Sequence, residues 1–366
     1  MRHIGFRMRF LIAFCCALAL VLGPEPAVAQ RRPAMATLLE ETRHEIGVPG
    51  MAASIWRRGR AVEAAAGERA LGSGVAVAAG DPFHIGSIAK PFAATLAARL
   101  VERGLLSWSD TVGARLGPSI EVAQAYRGVT LADLLAHRGG IGASPHPDEE
   151  ARLAGIRDLP GQRLAAARLM LNAPPAGAPE RTYLYSNYSY LVAAAMMERA
   201  TGRAFEDLLR DEVLAPLRLT SAGFGAPGRG TSFAVPWGHS PRGPIPPNAP
   251  SADNAAFMRP AGGLHMSMAD LARFGADQIG GAGRLLAPDS YRMLQGPVAR
   301  GRAIGWPLAP GGELFHDGTN LRWFALLRVF PEERLVIAIA ANSTGAEIER
   351  TRRALWALSD RLRRLP

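Results

Sequence analysis

Residues 83–90 read Phe83-His84-Ile85-Gly86-Ser87-Ile88-Ala89-Lys90. From there on, apolar side chains recur at every fourth position, at Ile88, Phe92, Leu96 and Leu100. This spacing predicts a helix with one buried face that stops at Gly104. The segment therefore predicts a serine and a lysine at the start of a long, partly buried helix.

Ser87 and Lys90 are three residues apart, so they lie on one face of that helix and the hydroxyl and the amine can meet. A serine hydroxyl is a weak nucleophile until a base removes its proton. The chain has 42 basic residues, and Lys90 is the one lysine among them. A lysine amine can act as the base, whereas an arginine effectively never deprotonates. Ser87 is therefore the candidate nucleophile and Lys90 the candidate base.

A second motif, Tyr185-Ser186-Asn187, lies in a predicted loop before a helix near residues 188–200. The phenol of Tyr185 can pass protons between the serine and a leaving group. The amide of Asn187 can hold a substrate carbonyl, but an asparagine at this point can equally cap the following helix. The residues alone leave both interpretations of Asn187 open.

A third motif, His316-Asp317-Gly318, is predicted to end a strand. The same three-residue pattern begins at His84 and at His137. The pattern by itself is therefore not specific. Its order in the chain and its position at the end of a strand select His316.

Strand patterns come from both ends of the chain, at residues 51–56, 61–66, 313–316, 322–330 and 335–341. Helices are predicted at 36–46 and 346–365. The simplest arrangement is an α+β fold, in which five or more antiparallel strands form one sheet flanked by the terminal helices. The residues between contribute a mostly helical subdomain.

Residues 30–366 are predicted to form a single catalytic domain. Its α/β part is assigned to residues 30–110 and 300–366, and its mostly helical part to residues 111–299. In the helical part, Thr130 with Asp133 predicts a capping box, and Gly139-Gly140 predicts the end of that helix. Residues 222–263 are rich in glycine and proline and predict a long loop, of a length that is usually functional or disordered.

Residues 1–29 are predicted to be a signal peptide. Arginines precede an apolar run at residues 10–22, and Ala27-Val28-Ala29 provides a small-residue cleavage pattern. The run is too short to cross a bilayer, and no later stretch is long enough. A lipid anchor on Cys15 or Cys16 is less favoured, because Phe14 precedes Cys15 and another cysteine precedes Cys16, where a small residue is wanted. The sequence therefore predicts a secreted or periplasmic protein, cleaved near Ala29 and without a transmembrane segment.

Composition and missing motifs exclude several functions. The net charge is +10, but the arginines are scattered and the protein is predicted to be exported, so no nucleic-acid partner is expected. The two cysteines are adjacent, which excludes a disulfide scaffold and a cysteine metal cage. The glycine pattern at residues 223–228 follows no predicted strand, and the chain contains neither His-Glu-x-x-His nor Gly-x-Ser-x-Gly. No cofactor and no metal site are predicted.

The three motifs, in this order, resemble the serine penicillin-recognising family. This family comprises class C β-lactamases, D-alanyl-D-alanine carboxypeptidases and related esterases and D-aminopeptidases. Residues 83–90 look like its nucleophile segment, and residues 185–188 are similar to its second motif. Further likenesses cover residues 134–141, 261–270 and 335–342, so the resemblance extends over nearly the whole mature chain.

The resemblance implies a role for each candidate residue. Ser87 would be acylated, with Lys90 or Tyr185 as the general base, and Asn187 would hold the substrate amide. The oxyanion hole would consist of the backbone N–H groups of Ser87 and Thr319, the residue after Gly318. The substrate would be a small molecule or a fragment of peptidoglycan.

His316 is a departure from the lactamases of the family, which usually carry lysine there. A histidine near its ordinary pKa is mostly neutral at pH 7 and attracts a substrate carboxylate less. We therefore expect an exported acyl-serine hydrolase of D-amino-acid peptides or esters. The alternatives are a class C-like β-lactamase and a non-catalytic wall-binding or penicillin-sensing protein. The sequence predicts neither the natural substrate nor the oligomeric state.

Overall fold

A computed structural model describes residues 26–142, 152–153, 155–230, 232–280, 285–298 and 302–366. The helices are Pro26–Ile46 (α1), Ala89–Glu102 (α2), Val112–Leu116 (α3), Leu131–Leu135 (α4), Leu159–Asn172 (α5), Asn187–Thr201 (α6), Phe205–Leu209 (α7), Arg259–Gly262 (α8), Met268–Gln278 (α9), Pro288–Gln295 (α10) and Ile348–Arg363 (α11). The strands are Gly50–Arg57 (β1), Arg60–Gly67 (β2), Phe83–His84 (β3), Gly223–Phe224 (β4), Gly238–Ser240 (β5), Gly243–Ile245 (β6), Leu264–Met266 (β7), Leu314–Thr319 (β8), Phe324–Phe330 (β9) and Leu335–Ala341 (β10).

Five of these strands form one antiparallel sheet in the order β2-β1-β10-β9-β8. The predicted α+β fold, with strands from both ends of the chain in one sheet, is confirmed. The apolar run of β10 lies in the centre, and all seven of its residues are buried. A strand buried on both faces has no need for polar residues at alternate positions, which explains its continuous apolar sequence.

The two faces of β10 belong to two separate cores. Ile337 and Ile339 pack with residues of α1 and α11, such as Leu39 and Leu355. Ala338 faces the opposite way, into the core that contains α2 and α9. Successive side chains of a strand point to opposite faces, so one seven-residue strand is packed by helices on both sides. The terminal helices flank the sheet as predicted.

The capping box at Thr130 and Asp133 is present at the start of α4. The prediction that Gly139-Gly140 ends this helix is wrong, because α4 stops at Leu135. His137 adopts a φ of +58°, which turns the chain before the glycines are reached.

Residues 222–263, predicted as a long loop, contain β4, β5, β6 and α8. β4 pairs with β7, and β7 pairs with β3, in a small antiparallel sheet. Because β3 immediately precedes the turn that contains Ser87, this small sheet connects the start of residues 222–263 to that turn.

The boundary between the α/β and helical parts stays a prediction. So does the signal peptide, because residues 1–25 lie outside the described residues. The helix α1 begins at Pro26 and therefore includes the predicted cleavage point near Ala29. Within the described part of the chain, no helix is long and apolar enough to cross a membrane.

Candidate active site

Ser87 and Lys90 meet at the start of α2, as their spacing predicts. Ser87 lies in the 3₁₀ turn Gly86–Ile88, and α2 begins two residues later. The Nζ atom of Lys90 is 3.1 Å from the Oγ atom of Ser87. The helix thus holds a nucleophile and an amine in direct contact.

Lys90 is fully buried, and its amine contacts two acceptors from distant parts of the chain. Nζ lies 2.8 Å from Oδ1 of Asn187 and 2.7 Å from the carbonyl oxygen of Ala261. The helix α6 is capped instead by Ser186, whose Oγ accepts the N–H of Ser189. The alternative in which Asn187 is the capping residue is therefore wrong.

Burial of the amine favours its neutral form. Burial removes the water that would solvate an ammonium group, and it holds the pKa of Lys90 well below its ordinary value of 10.5. A neutral amine has two N–H groups, which match the acceptors on Asn187 and Ala261. Its lone pair then points towards the hydroxyl of Ser87.

Tyr185 contacts the nucleophile from the other side, and its hydroxyl donates to Oγ of Ser87 at 2.8 Å. Although the residue is 43% exposed, desolvation of its hydroxyl raises the pKa of Tyr185 to about 12, against the lowering effect of this hydrogen bond. The ring lies 4.8 Å from Nζ of Lys90 and stacks on the imidazole of His137 at 4.4 Å. The phenol is therefore neutral at pH 7 and acts as a hydrogen-bond donor.

The end of β8 packs directly against the nucleophile turn. A Cβ atom added to Gly318 would lie 2.6 Å from the backbone nitrogen of Ser87. One added to Gly86 would lie 2.2 Å from the backbone nitrogen of Thr319, and Gly86 also has a φ of +53°. Both positions therefore require glycine, and the N–H groups of Ser87 and Thr319 lie at the same junction.

His316, also on β8, is buried and points into the same site. Its Nδ1 atom lies 2.6 Å from the carbonyl oxygen of Asp317. Burial is the main cause that lowers the pKa of His316 to about 3, so the ring is neutral. With Nδ1–H donating to that carbonyl, the other ring nitrogen, Nε2, is an acceptor.

Asp317 does not leave an unpaired carboxylate at the site. Its Oδ2 atom accepts a hydrogen bond of 2.6 Å from Nε of Arg352 on α11. Arg352 also contacts Glu349 one turn earlier at 2.7 Å. The terminal helix thus partly neutralises the one acidic residue of the third motif.

Ser87 lies between two cavities. The larger, of about 650 Å³, is also lined by Tyr185, His316, Arg302 and Trp306. The smaller, of about 460 Å³, is also lined by Asn187, Asp253, Asn320 and Gly262. A substrate bound across Ser87 would extend into both.

All seven predicted site residues therefore lie around one point, but sequence reasoning missed several others. The Nδ1 atom of His137 accepts the N–H of Ser186 at 3.1 Å, and burial lowers the pKa of His137 to about 2. Residues 134–141 and 261–270 carried family resemblance, yet nothing in them singled out His137 or the carbonyl of Ala261. No motif or spacing in the sequence pointed to Arg302 or Asp253.

This fold and this family resemblance define a serine hydrolase of the β-lactamase and penicillin-binding protein class. The family model described as Beta-lactamase matches residues 35–360. The chain therefore belongs to the beta-lactamase family.

Several known proteins are similar to it. Penicillin-binding protein 4 of Amycolatopsis lactamdurans is 30% identical over 330 residues, which is 82% of each protein. The crystal structure of SurE with D-Leu matches with a TM-score of 0.72 and 26% identity, and covers 91% of this chain and 75% of that one. A class C beta lactamase from Rhodobacter sphaeroides has the same fold, with a TM-score of 0.72, 20% identity and coverage of 90% and 99%.

Proposed function

We propose that this protein is an exported hydrolase that forms an acyl-serine intermediate. Its substrates are D-amino-acid peptides, as for a D-alanyl-D-alanine carboxypeptidase, or esters. One observation carries the proposal: Oγ of Ser87 lies 3.1 Å from the amine of Lys90 and 2.8 Å from the hydroxyl of Tyr185. A nucleophile in contact with both a proton acceptor and a proton donor is suited to acyl transfer.

In the acylation step, Lys90 takes the proton of Ser87 as Oγ attacks the substrate carbonyl. The N–H groups of Ser87 and Thr319 stabilise the resulting oxyanion. The bond to the leaving group then breaks, Tyr185 donates its proton to that group, and the proton on Lys90 restores the phenol. The net result is an ester of Ser87 and a protonated leaving group.

In the deacylation step, water attacks the ester from the position that the leaving group has vacated. Tyr185 takes a proton from this water as it passes its own proton to Lys90. When the ester bond breaks, Lys90 returns that proton to Oγ of Ser87 and the acyl group leaves as a carboxylic acid. The lowered pKa of Lys90 and the raised pKa of Tyr185 suit this assignment, with Lys90 as the base and Tyr185 as the donor.

The proton donor fixes the direction in which a substrate binds. Tyr185 lines the larger cavity, so the leaving group belongs there. Asn187 lines the smaller cavity, which therefore takes the acyl group.

A carboxylate on the leaving group is favoured by Arg302 in the larger cavity. Its guanidinium lies 4.7 Å from the ring centroid of Tyr183, and no carboxylate of the described residues lies within 4 Å of it. A cation without an acidic partner attracts an anionic group, such as the carboxylate of an amino-acid leaving group. This favours a carboxypeptidase-type reaction, although His316 is neutral. The SurE structure was solved with D-Leu, which supports a D-amino-acid substrate.

Export rests on the predicted signal peptide, with cleavage near Ala29. An enzyme outside the cytoplasm would encounter peptidoglycan fragments, which contain D-amino acids. Measuring the mass of the protein recovered from the periplasm or medium tests the cleavage point. Recovery of the uncleaved chain in the cytoplasm alone would contradict export.

The decisive experiment follows the intact mass of the protein after it is mixed with benzylpenicillin, beside the variant Ser87→Ala. An adduct on the wild type alone supports acylation of Ser87. A persistent adduct indicates a penicillin-binding peptidase, and rapid loss with consumption of the drug indicates the β-lactamase alternative. An adduct that never leaves, with no turnover of any peptide or ester, would indicate the non-catalytic sensor.

Nitrophenyl esters provide the matching activity test. The wild type should hydrolyse them with a burst of nitrophenolate, and Ser87→Ala should not. Equal hydrolysis by both proteins would refute the acyl-serine mechanism. Without a penicillin adduct, ester turnover that depends on Ser87 would favour the esterase branch.

A further inference from the structure

The smaller cavity beside Ser87 contains one carboxylate among its described lining residues. Asp253 lies in the segment 222–263, just after a 3₁₀ turn at Pro250–Ala252. Its side chain is only 16% exposed. The other polar side chains of this cavity, such as Asn254 and Asn320, are amides or hydroxyls and carry no charge.

The two oxygens of Asp253 are in different environments. Oδ1 accepts the N–H of Asn254 at 2.7 Å and Nδ2 of Asn320 at 3.2 Å, and it lies 2.9 Å from Nε2 of His84. No hydrogen bond from the described residues reaches Oδ2. One oxygen thus holds the carboxylate in place, and the other is left for a ligand.

His84 does not neutralise this carboxylate. The backbone N–H of Gly86 donates to Nδ1 of His84 at 3.1 Å, so Nδ1 carries no proton. The ring is then neutral, with its proton on Nε2. The hydrogen bonds that Oδ1 accepts from Asn254 and Asn320 favour the ionised form of Asp253. The His84–Asp253 pair therefore carries a net negative charge at neutral pH.

We propose that Asp253 binds an ammonium group on the acyl part of the substrate, so that the enzyme prefers acyl groups with a free amine. This rests on the proposed function, since the smaller cavity takes the acyl group only if Tyr185 protonates the leaving group. A largely buried carboxylate with a free oxygen and no cationic partner gains most from a bound cation. The ammonium can be the α-amine of an N-terminal residue or a side-chain amine, and both present the same chemistry.

Together with Arg302, this makes the two cavities complementary to opposite charges. The acyl side attracts an amine and the leaving-group side attracts a carboxylate. A short peptide with both ends free carries these charges at its two ends. The inferred substrate class is therefore a dipeptide or a similarly short, dipolar peptide.

The test compares kcat/KM for three anilides: D-alanyl, N-acetyl-D-alanyl and Nα-acetyl-D-lysyl p-nitroanilide. The first carries an α-amine, the second has no amine, and the third has only a side-chain amine. The wild type should prefer at least one amine-bearing anilide over N-acetyl-D-alanyl anilide by about tenfold or more, as expected for a hydrogen-bonded charge. Which of the two is preferred identifies the position of the amine.

The variant Asp253→Asn keeps an oxygen acceptor for Asn254, Asn320 and His84 but removes the charge. It should lower the preference for the amine-bearing anilide by about ten- to a hundredfold. The control Glu332→Gln removes one negative charge at the exposed turn between β9 and β10. It should leave the preference at the wild-type value.

Each other result contradicts the proposal in a different way. If Asp253→Asn lowers kcat/KM equally for all three anilides, Asp253 only supports the loop and the ammonium site is refuted. A wild type that shows no preference, or that cleaves none of the anilides while hydrolysing nitrophenyl esters, refutes it too. Anilide cleavage that persists in Ser87→Ala would instead refute the acyl-serine mechanism.

Discussion

Replacing Lys90 with methionine tests the central feature of the site. Methionine has a similar length and is apolar, so it fills the buried space without providing a base. The substitution leaves only Tyr185 in contact with Oγ of Ser87. The question is whether the phenol can replace the amine.

The pKa of Tyr185 determines how well the phenol can replace the amine as a base. With a pKa of about 12, roughly one molecule in 10⁵ carries a phenolate at pH 7. The variant Lys90→Met should therefore lose a positioned base almost completely, and acylation should slow by about 10² to 10⁴. Its residual rate should rise about tenfold per pH unit between pH 7 and 10, as the phenolate becomes populated.

The assay is the burst of nitrophenolate from nitrophenyl acetate, measured by stopped flow. The double variant with Tyr185→Phe gives the background from hydroxide, which has the same slope. Asn187 and the carbonyl of Ala261 each lose a donor, which costs about 1–3 kcal/mol per buried acceptor. Urea unfolding must therefore confirm that the measured protein is folded.

The variant Lys90→Arg separates a base from a positive charge, because arginine carries a charge and cannot deprotonate. It should be about as slow as Lys90→Met. The assignment of Lys90 as the base is refuted if Lys90→Met slows acylation less than tenfold, or if Lys90→Arg retains a tenth or more of the wild-type rate.

Three further predictions concern the proton donor, the pH dependence of stability and the helical core. Tyr185→Phe should slow anilide hydrolysis more than nitrophenyl ester hydrolysis, because nitrophenolate leaves without a proton; equal slowing would contradict the donor role. The pKa of Lys90 is lower in the folded than in the unfolded chain, so the unfolded state binds more protons and stability rises with pH between the folded-state pKa and about 10.5. Urea unfolding at several pH values should show that the free energy of unfolding rises less steeply with pH in Lys90→Met than in the wild type, by up to about 1.4 kcal/mol per pH unit. An unchanged slope would mean that the amine is charged in the fold. Arg163 is fully buried between two glutamate side chains. Its guanidinium donates hydrogen bonds of 2.9 to 3.1 Å to their carboxylate oxygens. Arg163→Met should lower the free energy of unfolding by about 3–5 kcal/mol, while Arg210→Met, which breaks an exposed ion pair, should change it by less than about 1 kcal/mol. Similar losses for the two variants would contradict this reasoning.

Much of the fold could be predicted because its signals are local. The helix α2 follows from apolar residues at every fourth position, and β10 follows from a continuous apolar run. The capping box at Thr130 can likewise be predicted from four consecutive residues. The end of α4 could not be predicted in this way, because the positive φ of His137 depends on what the turn contacts.

The same distinction between local signals and tertiary contacts applies to the candidate site. Ser87 and Lys90 are neighbours on one helix, so their spacing predicts their contact. The two roles open for Asn187 could not be separated, since the lysine it contacts is 97 residues away. The single lysine in the chain drew attention to Lys90, but its protonation depends on complete burial by other elements.

By itself, the sequence determined the secondary structure of the sheet, the order of the three motifs and the likeness to one family. These depend on short-range periodicity and on residues a few positions apart. The tertiary structure decided the chemistry of the site. It alone brings the carbonyl of Ala261, 171 residues distant, to the amine of Lys90, and it alone places Arg302 and Asp253 in the two cavities beside Ser87. Charge and protonation in a buried site depend on everything packed around it, and that packing is not recorded in any one stretch of chain.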